Sequence, residues 1–395
     1  MTNKNRVCRG VVIVALLLPA LSAGQQEQWL GYRSAREAER ILGDMSSQNP
    51  KLSGDKPAGV ELPQFKGDQP LFGKWSSPMA KEGYLWIALD RSHKHGPYDL
   101  LYIDSDGDGH LEDETAAAAY QMEENYSSFG PVGIVFEGED GPISYHLNFR
   151  YYGREGRDPY FRVTSGGWYE GAITVGDQKK HCVLIDYNAN ATFNDKSSDF
   201  GNCDRIRISK KRDEGDARFV GNFVQVDEVL YRPEIARDGA YIKLTRAEDV
   251  VFGSIRAQDT INEFAAGGEN GLLYVALEKG VGKLPVGKYR VHHWQITRKD
   301  DKDKSWKLEG RWFDDKTDFE VSEASQTVLQ IGEPVVAALD VAIRDDKYQF
   351  NKELRGPWGE RLDLTCRDAR VYGKLHIRNR DGTFDRRYDI RMWDS

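Results

Sequence analysis

Asp104, Asp106 and Asp108 alternate along one short stretch, with Gly107 and Gly109 set among them. His110, Glu112, Asp113 and Glu114 follow at once. Carboxylates crowded this tightly repel each other unless a cation neutralises them. A hard divalent ion suits such an all-oxygen set. Ca²⁺ suits it best, because it takes roughly six to eight oxygen ligands at loose geometry. In the expected site Asp104, Asp106 and Asp108 supply carboxylate oxygens. His110 supplies its backbone carbonyl rather than its ring, and Leu111 packs inward. Glu112, Asp113 and Glu114 are the acids available to complete the shell. The alternative is a solvated acidic turn that holds no metal.

A second stretch repeats the pattern. Val183-Leu184-Ile185-Asp186-x-Asn188-x-Asn190-Ala191 parallels Leu101-Tyr102-Ile103-Asp104-x-Asp106-x-Asp108-Gly109. Thr192, the apolar Phe193, Asp195 and Asp199 continue it. Asparagine replaces two aspartates, so the pull on a cation is weaker. Alanine replaces the glycine and is strained wherever φ must be positive. Two readings stay open. Asp186, Asn188, Asn190, Thr192, Asp195 and Asp199 form a second metal site, or they form an asparagine-rich structural turn.

The spacing of the first stretch resembles the EF-hand calcium loop and its dockerin-like and strand-flanked relatives. The resemblance places Asp104, Asp106 and Asp108 at the first, third and fifth positions, and Gly109 at the sharp turn. It breaks at the twelfth position, where Thr115 stands in place of a bidentate acid. Leu100-Leu101-Tyr102-Ile103 ahead of the loop reads as a strand, not a helix. The resemblance therefore implies a strand-loop version of the calcium site. The repeated loops, with Gly166-Gly167-Trp168-Tyr169-Glu170-Gly171, also resemble a group of secreted bacterial proteins that carry such loops on β domains. That likeness implies calcium and export, and no reaction.

Other chemistry is sparse. His93-Lys94-His95 has metal-ligand spacing but lies in a polar segment, so a solvated loop is expected. His292 and His293 are neighbours on a strand and point to opposite faces. No Gly-x-Ser-x-Gly, His-Glu-x-x-His or phosphate-cradling glycine loop occurs. Trp168, Tyr169, Trp294, Trp306 and Trp312 fill cores or form a sugar-stacking platform. Asn379-x-Asp381-Gly382 reads as an ordinary hairpin turn. Cys182 and Cys203 bracket one polar loop, and export permits a disulfide between them. Closing that ring of about 20 residues is worth roughly 3 kcal/mol in the chain-entropy model. Cys366 reads as a small buried thiol.

The elements that must carry these residues are strands. Lys4, Arg6 and Arg9, an apolar run over 11–18 and Ser22-Ala23-Gly24 predict a cleaved export leader over 1–24. Residues 27–45 have near-helical apolar spacing and predict a helix. Residues 46–72 are rich in Pro and Gly and predict a linker or a tether lying on the next domain. Beyond them, short apolar runs alternate with Gly/Asp turns. Leu284–Val291 resembles the turn and strand of transthyretin-like modules. The expected fold is mainly β, with two or three sandwich- or barrel-like modules and a short N-terminal helix after the leader. Residues 25–72 would hold the helix and linker, 73–265 the β domains with both loops, and 266–395 a C-terminal transthyretin- or Ig-like sandwich. The chain carries 55 Lys and Arg against 63 Asp and Glu, a net charge of −8. That argues against nucleic acid and anionic membranes as partners. The expected function is a secreted or periplasmic, non-enzymatic, calcium-stabilised protein with an extracellular protein or polysaccharide partner. The alternatives are a carbohydrate-binding or adhesion module, and a hydrolase assembled from distant residues.

Overall fold

The computed structural model describes residues 28–389, apart from residues 44, 140, 154, 155, 213, 312, 314–316, 345 and 346. The expected leader over 1–24 and Trp312 lie outside the described residues. The chain is mainly β, and its described strands form seven sheets. Glycine, Asp and Asn punctuate the strands, as at the hairpin whose register runs Gly138↔Gly141 and at the one joining Val175 to Gln178.

The helix expected over 27–45 gives way at its start to two short strands. Gln28–Trp29 pairs with Tyr241–Arg246, and Gly31–Ser34 pairs with Gly167–Val175. Only Ala38–Leu42 is helical. Ala38 and Leu42, four apart, are its buried pair against Trp168, Val183 and Ile185. Trp29 stands 71% exposed, so the apolar spacing there does not report a buried helix face.

The first loop grows from a four-stranded sheet of Leu71–Ser76, Tyr84–Asp90, Leu100–Ile103 and Ala117–Ala118. Side chains alternate across it. Leu85, Ile87, Leu89, Leu101 and Ile103 face the main core, while Ala88 and Tyr102 face the other way. That outer face is covered by Val60, Leu62 and Phe65 from the Pro/Gly-rich segment, so the sheet is apolar on both sides. The second loop grows from Gln178–Ile185 in a five-stranded sheet, between Gly167–Val175 and Arg205–Ser209.

These sheets and a third, built on the long hairpin of Tyr126–Gly138 and Gly141–Tyr152, enclose one core. Trp75 and Tyr145 stack at its centre, 5.9 Å apart. A second core runs from Ile255 to Leu362 and includes Phe264, Trp294 and Ile331. The expected division at 265/266 falls inside the strand Glu263–Gly267, whose Phe264 and Ala266 belong to that second core. Trp168 and Trp294 are buried core residues rather than platform residues.

The expected Cys182–Cys203 bridge is absent; both are free thiols. Cys182 points into the main core, whereas Cys203 belongs to a separate cluster with Phe219, Ala265 and Leu272. Arg205 donates to Cys203 Sγ from Nη1 at 3.0 Å. Burial pushes the Cys182 thiol up to about 12, so it packs as a small apolar group. Cys366 is a third free thiol, half-buried rather than buried.

Candidate metal centre

Asp104 follows directly on the strand Leu100–Ile103, and its amide donates to Trp86 O at 3.0 Å, extending the ladder by one rung. The carboxylate is therefore held at a fixed point and is buried, at 2% exposure. Gly107 N donates to its Oδ1 at 2.8 Å and Gly109 N to its Oδ2 at 3.1 Å. Both glycines have positive φ, 78° and 91°, which wraps the chain back over Asp104. Asp108 N donates to Asp106 Oδ1, and His110 N to Asp108 Oδ1. The outcome is convergence. One carboxylate oxygen from each of Asp104, Asp106 and Asp108 lies within 4.8 Å of the others.

Burial is the main cause that pushes Asp104 up to about 6, and Asp108 and Asp106 add to it. Its two backbone donors oppose the rise without cancelling it. A divalent ion placed among the three carboxylates would remove the repulsion and favour the ionised form of Asp104.

The acids after the turn do not join these three. Glu114 folds back onto Ser105, accepting from its amide and, at 2.9 Å, from its hydroxyl. Glu112 gathers with Glu61 and the His110 ring. Asp113 is exposed. The His110 ring nitrogen Nδ1 accepts from Glu61 N at 3.0 Å, and Leu111 N donates to Glu61 O at 2.9 Å. Leu111 itself is fully buried beside Phe72, Ala88 and Tyr102, pinning the loop exit to the sheet.

The second loop shares this skeleton. Ala191 N donates to Asp186 Oδ2 at 2.6 Å, as Gly109 N does to Asp104. Thr192 N donates to Asn190 Oδ1, as His110 N does to Asp108. Phe193 is buried where Leu111 is, and its amide also reaches a remote carbonyl, that of Arg237. Ala191 takes the left-handed conformation expected of this position, φ 70°, without a glycine.

The charges are managed differently there. Asp186 is fully buried and accepts a hydrogen bond from Tyr145 OH at 2.6 Å. Burial pushes it up to about 7. The Asn188 and Asn190 amides both donate to Asp195 Oδ2, at 3.1 and 2.6 Å. Because the Thr192 amide fixes Asn190 Oδ1 as the acceptor, its NH₂ must face Asp195. Thr192 Oγ1 is spent on the same Asn190 oxygen. Asp199 is exposed and turns to Gly201 and Asn202.

Asp204, Tyr145 and Glu61 are residues that sequence reasoning did not select. Asp204 is buried and closes the second loop, accepting from Tyr187 N at 3.0 Å and Asp195 N at 2.8 Å. Burial raises its carboxyl well above the usual range, and Asp186 adds to the rise. An acid beside Cys203 gives no signal of burial in sequence. The two histidines of His93-Lys94-His95 are exposed, as a solvated loop requires.

Comparison with protein families, curated proteins and solved structures found no match for this chain.

Proposed function

We propose that the protein is an exported, calcium-stabilised β protein whose first loop binds one Ca²⁺ in a structural role. The observation that carries this reading is the convergence of Asp104, Asp106 and Asp108, the first of them buried at the end of a core strand. Those three carboxylates and the His110 carbonyl would hold the ion, and water would complete the shell. The ion would supply charge neutralisation; the protein supplies the strand, the two glycine turns and the Leu111 anchor that keep the acids together. Glu114 is committed to Ser105, so the site lacks a bidentate acid. That supports weak affinity, of the order of 10⁻⁴ to 10⁻³ M, as in extracellular modules. The basic, apolar and small-residue run at the chain start supports export, where millimolar calcium is met.

The second loop is read as the metal-free counterpart. Asparagine amides stand where a cation would meet Asp195, and Tyr145 with two backbone amides serves Asp186. The test is thermal unfolding with calcium and with chelator. Calcium at about 10 mM should stabilise the chain by roughly 1.4 to 2.7 kcal/mol, given the affinity above. The paired substitution Asp104→Ala with Asp106→Ala should erase the difference. An equal midpoint with and without calcium in the unaltered chain would remove the reading.

A further inference from the structure

The hairpin of Val336–Arg344 and Lys347–Arg355 stands out from the C-terminal sheet. Lys347–Arg355 touches the next strand at a single register pair, Arg355↔Arg361. Val336–Arg344 is the outermost strand of its sheet among the described residues. Nine residues make an edge about 30 Å long. A two-stranded hairpin alone is marginal in water, and this one exposes apolar side chains. Leu339, Val341, Ile343 and Tyr348 are exposed on one face, with Phe350 half-buried among them.

The opposite face carries unmatched charge. Arg344 lies directly across from Lys347, and two cations in register repel. Asp340 lies across from the neutral Asn351. Among the described residues neither Asp340 nor Arg344 has an ionic partner. They share a face of one strand but stand four residues, about 14 Å, apart, too far to meet.

We propose that this edge pairs with the same edge of a second copy, antiparallel about a two-fold axis at Ala342. In that register Asp340 lies opposite Arg344 of the second copy, and Arg344 opposite its Asp340. Val341 lies opposite Ile343 of the second copy, twice over. The apolar row Phe350, Val341, Ile343, Tyr348 then runs across four strands in each direction. Slipping the axis to Asp340 would set like charges face to face. The register about Ala342 is the one that sets both charges against opposite charges, and the free edge supplies its backbone hydrogen bonds.

Sedimentation equilibrium of the full chain should show a monomer–dimer equilibrium. Asp340→Arg and Arg344→Asp should each raise the dimer dissociation constant about tenfold. The double exchange Asp340→Arg with Arg344→Asp should restore it. Both side-chain positions are exposed, and circular dichroism would verify folding of each variant. A monomer at every concentration, single variants that dimerise normally, or a double variant that stays weak would each overturn the proposal. A monomer that instead floats with phosphatidylcholine vesicles would assign the apolar face to lipid and overturn it equally.

Discussion

Asn190 donates to Asp195 Oδ2 across 2.6 Å, whereas its counterpart in the first loop, Asp108, gathers with Asp104 and Asp106. With the Asn188 amide on the same oxygen, this contact distinguishes the second loop from the first. Replacing it by Asn190→Asp puts two acids face to face and leaves Asp195 short of a donor. Urea unfolding in chelator should show a loss of about 1–3 kcal/mol. Calcium should return part of it, because the substitution restores one of the two acids that the second loop lacks relative to the first. Unchanged stability would show that the amide contact is idle.

Tyr145 is the only side-chain hydroxyl on Asp186 among the described residues, and both are buried. Tyr145→Phe removes a donor to a buried acid while keeping the ring stacked on Trp75. The expected cost is about 1–3 kcal/mol. A change within a few tenths would mean that Asp186 does not rely on this bond.

Titration should expose the same burial. The Asp186 carboxyl sits at about 7 in the folded chain, raised by burial from the ordinary aspartate value. The folded state thus holds a proton that the unfolded chain releases between roughly pH 4 and 7, so stability from this group falls as pH rises through that window. His292, lowered by burial to about 4, works in the opposite direction between there and its ordinary value. The comparison is therefore with Asp186→Asn, which also lowers the buried Asp204 carboxyl in the same direction, because Asp186 adds to its rise. In chelator, the advantage of the unaltered chain over this variant should shrink between about pH 4 and 7. An advantage that grows over that range would contradict the assignment.

Leu111 tests the anchor of the first loop. It is fully buried, so Leu111→Ala should cost about 2–5 kcal/mol. Asp113→Ala, on the exposed side of the same loop, should stay within about 0.5 kcal/mol. Equal effects in guanidinium unfolding would mean that the loop exit is not held by Leu111.

The strands and hairpins were legible because their signals are local. Alternation marks Tyr84–Asp90 and Leu100–Ile103, and Gly176-Asp177 marks a tight turn. The N-terminal strands were not, because they form by edge pairing with Gly167–Val175 and Tyr241–Arg246, which lie far away in sequence. The convergence of Asp104, Asp106 and Asp108 follows from their spacing and the two glycines. The diversion of Glu114 to Ser105 and of Glu112 toward Glu61 does not, since it depends on how the loop exit meets a distant segment. The cysteines misled because ring size says nothing about which core each side chain enters.

Isothermal titration of Ca²⁺ into the metal-free full chain tests the central claim most directly. One saturable site in the sub-millimolar to millimolar range is expected, lost in the Asp104→Ala, Asp106→Ala variant and kept in Asn190→Ala. No saturable heat through that range, or binding that survives the paired aspartate substitutions, would contradict it.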